Sequence, residues 1–164
     1  MGFKAVILVV EDVRRSRMLY EGLLGCRVEA DFGIYNVGFE VGFALYKKSF
    51  FAELIDHDDI VSKAHNLAVY FEFDDIHTLR DTIIANGFEL VHDIKEQPWG
   101  QKVLRFYDYD HHIVEIAENM NQALVNMYQS GMTESIIAHK TGYTEDEVRR
   151  ILNSQMETEK QELT

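Results

Sequence analysis

The sequence feature that most limits the fold is a repeated order of segments within the first 118 residues. Residues 3–10 read FKAVILVV and residues 66–73 read NLAVYFEF, and both runs are typical of β-strands. An aspartate follows each run closely, Asp12 in the first copy and Asp75 in the second, where a helix N-cap belongs. We therefore expect each copy to begin with a strand and then a helix.

The rest of each copy reads as strands. Gly25 and Gly87 stand where the two helices are expected to end, and three short strand-like runs follow each glycine. The order βαβββ, found twice, predicts two modules, residues 1–65 and 66–118, that bury their apolar faces together and leave a cleft between them. Residues 119–164 read as a helical extension, so the sequence predicts an α+β fold with a C-terminal helical appendage.

Composition and charge narrow the class of protein. A chain of 164 residues that is 46% hydrophobic can bury a real core, and its net charge of −12 disfavours nucleic acid as the main partner. The longest apolar run, residues 5–10, is too short to cross a membrane, so we expect a cytoplasmic protein. Cys26 is the only cysteine, which excludes an internal disulfide and predicts a small buried hydrophobe.

Two segments resemble the signatures of a known superfamily. LVVEDVRRSRMLYEGLLG (residues 8–25) and WGQKVLRFYDYDHHIVEIAE (residues 99–118) resemble the opening and closing motifs of the vicinal oxygen chelate superfamily, also called the glyoxalase, bleomycin resistance and dioxygenase family. The resemblance implies paired βαβββ modules whose strands form a curved mixed sheet around a cavity, usually in a homodimer. The closing motif contains a turn at residues 108–112, here called the closing turn. Tyr109 and His111 replace its usual proline and glycine. Histidine can preserve the turn because it tolerates positive φ.

The resemblance also implies where metal ligands would stand. In metal-using members, ligands come from the first and last strands of each module, and these positions correspond to Ala5, Ala68 and Glu115. Alanine has no donor atom, whereas a divalent metal enzyme needs three or four nitrogen or oxygen donors. We therefore expect no conventional metal cofactor. A metal site that uses Glu115 with displaced histidines remains the alternative.

Strand alternation selects two candidate catalytic residues. Tyr70 and Glu72 share one face of their strand, which we place in the cleft together with Glu115. Two carboxylates that meet in a cleft can share a proton and supply a general acid or base, so Glu115 and Glu72 are the catalytic candidates. Both have structural alternatives: Glu115 can pair with a neighbouring arginine or lysine, and Glu72 can be solvated.

Five further side chains are candidates for ligand binding: Tyr70, Trp99, Arg105, Tyr46 and Tyr107. Trp99 lies on a turn, where it can roof a cavity or simply pack. Arg105 lies in a half-buried strand and needs a partner, which is either a glutamate across the sheet or an anionic or carbonyl-bearing ligand. The tyrosines provide aromatic surface with polar tips, which suits a planar or amphipathic small molecule.

The helical extension resembles a DNA-binding motif in spacing alone. Ala138, Gly142 and Val148 have the relative spacing of a helix-turn-helix. Acidic residues at 145–147 would repel phosphates at the start of its recognition helix. We expect residues 119–164 to serve as a dimer contact or a lid, and no nucleic acid partner.

These observations predict a glyoxalase/bleomycin resistance/dioxygenase-like homodimer that binds a small organic ligand in the cavity between its modules. Two alternatives remain. The first is a metal-dependent lyase or isomerase of the lactoylglutathione lyase type, or a ring-cleaving dioxygenase, using Glu115. The second is a ligand-responsive regulator that acts through the C-terminal helices.

Overall fold

The computed structural model describes residues 2–162. The chain divides into two compact units. The first unit comprises the described residues up to Ala68 together with Tyr107–Ile113. The second unit comprises Val69–Phe106 together with the described residues from Val114 onward.

The first copy of the repeat forms a four-stranded mixed sheet in the order β1-β4-β3-β2. Its strands are β1 (Val6–Val10), β2 (Val28–Asp31), β3 (Asn36–Phe39) and β4 (Phe43–Lys47). β1 runs parallel to β4, and the pairs β2/β3 and β3/β4 are antiparallel. Along β1 the side chains alternate as expected, because Leu8 and Val10 are buried while Ile7 is largely exposed.

The first helix begins where the sequence predicts. Asp12 caps α1 (Val13–Arg17) by accepting hydrogen bonds from the backbone N–H groups of Arg14 and Arg15. The helix continues as a π-helical turn, Met18–Leu23, and Gly25 follows with φ +71°.

A helix that the sequence analysis did not anticipate follows β4. This helix, α2 (Lys48–Ile55), has no side-chain hydrogen bond at its N-cap, so no capping signal marks its start. Cys26, in the same unit, is buried as predicted, and burial raises the pKa of its thiol to about 11.

The second copy repeats the first. Its strands are β5 (Ala68–Phe73), β6 (Leu90–Glu96), β7 (Lys102–Tyr107) and β8 (Ile113–Glu118), in the order β5-β8-β7-β6. Asp75 caps the intervening helix α3 (Ile76–Ala85) through the N–H of Thr78. The equivalent strand order of the two sheets confirms the paired βαβββ modules and the α+β class.

Three helices follow β8: α4 (Met120–Gln129), α5 (Glu134–Thr141) and α6 (Glu145–Glu162). They share an apolar cluster of buried residues: Ala123, Leu124, Val125, Met127, Ile137, Ala138, Val148 and Leu152. Gly142 ends α5 with φ +80°, and a short turn leads into α6. None of the described helices is both long and apolar enough to cross a membrane.

Candidate functional site

A cavity of about 390 Å³ opens in the first unit. Its apolar floor is the exposed face of β1, formed by Ile7 and Val9. Strand alternation places both side chains on the same face, opposite the core residues Leu8 and Val10. The remaining lining residues come from the end of β1, the start of α2, the loop at residues 60–62 and the closing turn: Glu11, Lys48, Ile60, Val61, Ser62, Tyr109, Asp110, His111 and His112.

The closing turn is organised by the buried carboxylate of Asp108. Its Oδ1 accepts hydrogen bonds from the backbone N–H groups of Asp110 (3.0 Å) and His112 (2.8 Å). Its Oδ2 accepts from the Tyr20 hydroxyl at 2.8 Å and from Nδ1 of His112 at 2.8 Å. His111 adopts φ +66°, which confirms that histidine preserves this turn in place of glycine.

His112 is therefore an oriented imidazole at the wall of the cavity. Its Nδ1 is held by Asp108, and within residues 2–162 no protein group bonds to its Nε2. Burial of the ring by itself lowers the pKa of His112, but the hydrogen bond to Asp108 and the charges of Asp108 and Asp110 outweigh it. The net effect raises the pKa of His112 above its ordinary value, which favours the protonated ring.

Asp110 forms hydrogen bonds to several of the segments that surround the cavity. Its Oδ1 accepts from the N–H of Glu11 at 2.8 Å, its Oδ2 from the Ser16 hydroxyl at 3.3 Å, and its backbone carbonyl from the Ser62 hydroxyl at 3.2 Å. Burial raises the pKa of the Asp110 carboxyl, and the nearby charge of Asp108 adds to this effect. These bonds join the end of β1 and the loop at residues 60–62 to the closing turn.

The charges at the rim are largely paired. Nζ of Lys48 lies 2.5 Å from Oε1 of Glu11, and the guanidinium of Arg15 lies 4.0 Å from the ring centre of Tyr109. The Glu11 carboxylate is thus neutralised by a lysine from the first turn of α2. The position of Lys48 beside the cavity depends on α2, the helix that the sequence analysis did not anticipate.

The second unit contains the two predicted catalytic residues, and it does not bond them to each other. Oε2 of Glu115 pairs with Nε of Arg105 at 2.5 Å, and Nη1 of Arg105 donates to Nε2 of His92 at 2.7 Å. The side chains of Arg105 and Glu115 are only 22% and 15% exposed. The internal ion pair that the sequence analysis held open for both residues is therefore present, while Glu72 is exposed and bonded elsewhere.

Two of the predicted ligand-binding residues meet through a buried glutamine. Gln101 accepts from Nε1 of Trp99 at 2.9 Å and donates to the Tyr70 hydroxyl at 3.2 Å and the Glu118 carbonyl at 2.8 Å. Tyr70 in turn donates to Glu72 at 2.7 Å, and burial together with this bond raises the pKa of Tyr70 to about 12. Gln101 was not predicted from the sequence, where its only signal is an amide directly after the Trp-Gly turn.

The two remaining candidates lie in the first unit but do not line the cavity. Tyr46 packs against the rings of Phe50 and Phe51 in α2. The hydroxyl of Tyr107 lies 2.7 Å from Nε2 of His65, whose ring stacks on the tyrosine. Both tyrosines are thus engaged in contacts within the unit.

The donor set does not fit a divalent metal ion of the kind that the superfamily resemblance implies. Ala5 and Ala68 offer no donor atoms, and the one glutamate at a ligand position, Glu115, is paired with a guanidinium. Among residues 2–162, no group of three or more histidine, cysteine, aspartate or glutamate side chains is arranged to hold a metal ion. The oriented groups at the cavity act as hydrogen-bond donors and acceptors to protein partners.

Comparison with known proteins gives a consistent result. Residues 3–121 match the family described as glyoxalase-like domain. A protein of unknown function from Agrobacterium tumefaciens is 36% identical over 73% of this chain and 94% of its own, with a TM-score of 0.64. No curated protein matches the chain.

Two further structures, both less than 25% identical, share the fold. A glyoxalase-related enzyme from Fulvimarina pelagi is 18% identical over 73% of this chain and 89% of its own (TM-score 0.63). A fosfomycin resistance protein from Listeria monocytogenes is 15% identical over 75% of this chain and 97% of its own (TM-score 0.56).

Proposed function

Since this chain belongs to the glyoxalase-like domain family, we propose that it binds a small organic ligand in the cavity of its first unit. The main support for this proposal is the set of residues that line the cavity. A floor of Ile7 and Val9 faces a wall of a few fixed polar groups, which is the usual composition of a small-molecule site. Its volume of about 390 Å³ falls in the range typical of such sites.

The proposed binding does not use a divalent metal ion. The positions that the superfamily resemblance assigns to metal ligands carry methyl groups at Ala5 and Ala68. Glu115 would have to break its ion pair with Arg105 to coordinate a metal, and this would leave a largely buried guanidinium without its partner. Ligand binding through apolar contact and hydrogen bonds requires no such rearrangement.

The test is titration calorimetry with 2-naphthamide, a neutral, planar molecule with one polar end. We expect saturable binding to the native protein, unchanged after dialysis against a chelator. Replacement of Ile7 by tryptophan should abolish binding by filling the cavity. The matched control is Val6→Trp, because Val6 is the adjacent residue of β1, is similarly exposed (39% against 41% for Ile7) and does not line the cavity.

The outcomes separate the proposal from its alternatives. Binding that survives Ile7→Trp, or that Val6→Trp abolishes equally in a folded protein, would place the ligand elsewhere. Binding that appears only after addition of Zn²⁺, Ni²⁺ or Mn²⁺ would favour the metal-dependent lyase or dioxygenase alternative. Absence of saturable binding up to millimolar concentrations of both 2-naphthamide and its carboxylate analogue, 2-naphthoate, would contradict the proposal itself.

The regulatory alternative has less support. The first turn of α6 carries Glu145, Asp146 and Glu147, and the basic Arg149 is paired with Glu134 at 2.9 Å and Asp146 at 3.1 Å. A helix start with this charge repels a phosphate backbone.

A further inference from the structure

We propose that the natural ligand of the cavity is an organic acid whose carboxylate is bound by Nε2–H of His112. This inference rests on the proposed function, because it concerns the same cavity. It adds a chemical class, the carboxylates, and it assigns a role to a residue that the sequence pattern gave no reason to choose.

His112 is held in one orientation by its hydrogen bond to Asp108. Asp108 is fully buried, and its carboxylate fixes Nδ1 of the ring at 2.8 Å while the Tyr20 hydroxyl and two backbone N–H groups fix the carboxylate. The ring cannot turn without breaking the bond to a buried charge, which is costly. Nε2 is consequently the one ring nitrogen left for a ligand, on a residue that lines the cavity.

The other charged groups at the cavity already have protein partners, either an opposite charge or hydrogen-bond donors. The Glu11 carboxylate is matched by Lys48, and both carboxylate oxygens of Asp110 accept hydrogen bonds, from Glu11 N–H and from Ser16. The charge of Asp108 is compensated by protonated His112. Nε2–H of protonated His112 is thus a charged donor on a cavity-lining residue, and the described residues provide no acceptor for it.

The charge at the cavity also differs from that of the rest of the chain. A protein with a net charge of −12 repels anions over most of its surface. At the cavity, Lys48 offsets the charge of Glu11, the guanidinium of Arg15 lies over the ring of Tyr109, and protonated His112 adds an N–H donor. A hydrogen bond from an ionised donor to a carboxylate is stronger than one to a neutral acceptor.

The experiment compares two probes of equal shape, 2-naphthoate and 2-naphthamide, by titration calorimetry at pH 6.5. We expect the carboxylate to bind about tenfold more tightly, because a hydrogen bond between charged groups in a partly buried site contributes on this order. In His112→Asn the preference should disappear, since asparagine keeps a donor for Asp108 but has no proton to gain. His111→Asn is the matched control, because His111 also lines the cavity and asparagine tolerates its positive φ.

The pH dependence of the preference for 2-naphthoate tests whether His112 is the residue that binds the carboxylate. The titratable groups around the cavity and around the ring of His112 are Glu11, Tyr20, Lys48, Asp108, Tyr109, Asp110, His111 and His112. The preference for 2-naphthoate should fall as the pH rises through the pKa of His112. It should fall in the same way in His111→Asn.

A measurement on the native protein keeps the test independent of the variants. Bound carboxylate stabilises the protonated ring, so 2-naphthoate should raise the pKa of His112 in an NMR titration and 2-naphthamide should not. If 2-naphthamide binds as tightly as 2-naphthoate, or if the pKa of His112 does not move, the inference is wrong while the proposed function stands. If neither probe binds, the proposed function itself fails.

Discussion

The conformation of the closing turn depends on single residues, above all on Asp108. Its buried carboxylate joins a tyrosine hydroxyl, an imidazole and two backbone N–H groups from three different positions along the chain. Because a buried charge is stable only when its hydrogen bonds are satisfied, each donor stabilises the turn. The sequence shows only an aspartate in a recognisable turn, and nothing in it indicates that Tyr20 is the buried donor.

The first prediction concerns Tyr20. Replacing Tyr20 by phenylalanine removes one donor from the buried Asp108 carboxylate without changing the packing of the ring. We expect the free energy of unfolding to fall by about 1–3 kcal/mol, measured by urea denaturation. Tyr35→Phe is the control, because Tyr35 is 53% exposed, and its change should stay within about 0.5 kcal/mol. Equal effects of the two substitutions would contradict the role assigned to Asp108.

The second prediction concerns the pH dependence of stability. The pKa of His112 is raised in the folded state, so its protonation stabilises the fold below the pKa of the unfolded histidine, about 6.5. This contribution is lost as the pH rises through the higher folded-state pKa. The difference in unfolding free energy between the native protein and His112→Asn should therefore shrink from pH 6 to pH 8. A difference that is constant or grows over this range would show that the pKa is not raised.

Helices whose first turn carries a capping signal could be predicted from the sequence, and α2, which carries none, could not. Asp12 and Asp75 cap the helices predicted after them, and alternation along β1 and β5 correctly assigns their faces. α2 has no side-chain cap, and the π-helical turn differs from an α-helix only in backbone hydrogen bonding, which leaves no residue signature.

The third prediction concerns the turn between β6 and β7. Gly100 adopts φ +93°, and a Cβ there would lie 2.5 Å from Sδ of Met127 in α4, whereas Gly87 adopts φ +79° with nothing within 4 Å. Gly87→Ala should cost about 1–2 kcal/mol from backbone strain alone. Gly100→Ala should cost about 1–3 kcal/mol more, because buried Met127 must be displaced. Thermal and urea denaturation measure both, and equal costs would show that α4 does not pack closely on this turn.

At the scale of the whole molecule, the repeat predicted the two sheets, whereas the location of the cavity could not be predicted. The site predicted from the sequence comprises Glu115, Glu72 and Tyr70, whose hydrogen bonds in the second unit are to protein partners. The cavity in the first unit combines a strand face, a helix start, a loop and a turn that lie far apart in sequence. No periodic pattern connects such positions, so neither Lys48 nor His112 was predicted to line a binding cavity.

Two expectations for the whole molecule stay predictions. The homodimer implied by the superfamily resemblance is tested by light scattering of the purified protein, which should give twice the chain mass of 19.1 kDa. The cleft between the sequence modules, residues 1–65 and 66–118, likewise remains an expectation.

The most direct test of the account is an NMR titration of the ¹⁵N-labelled protein with 2-naphthoate after dialysis against a chelator. The account predicts saturable shift changes centred on Ile7, Val9 and His112, with the same affinity before and after the chelator. Shift changes that avoid these three residues, or that require an added divalent ion, would contradict a cavity in the first unit that binds its ligand without a metal.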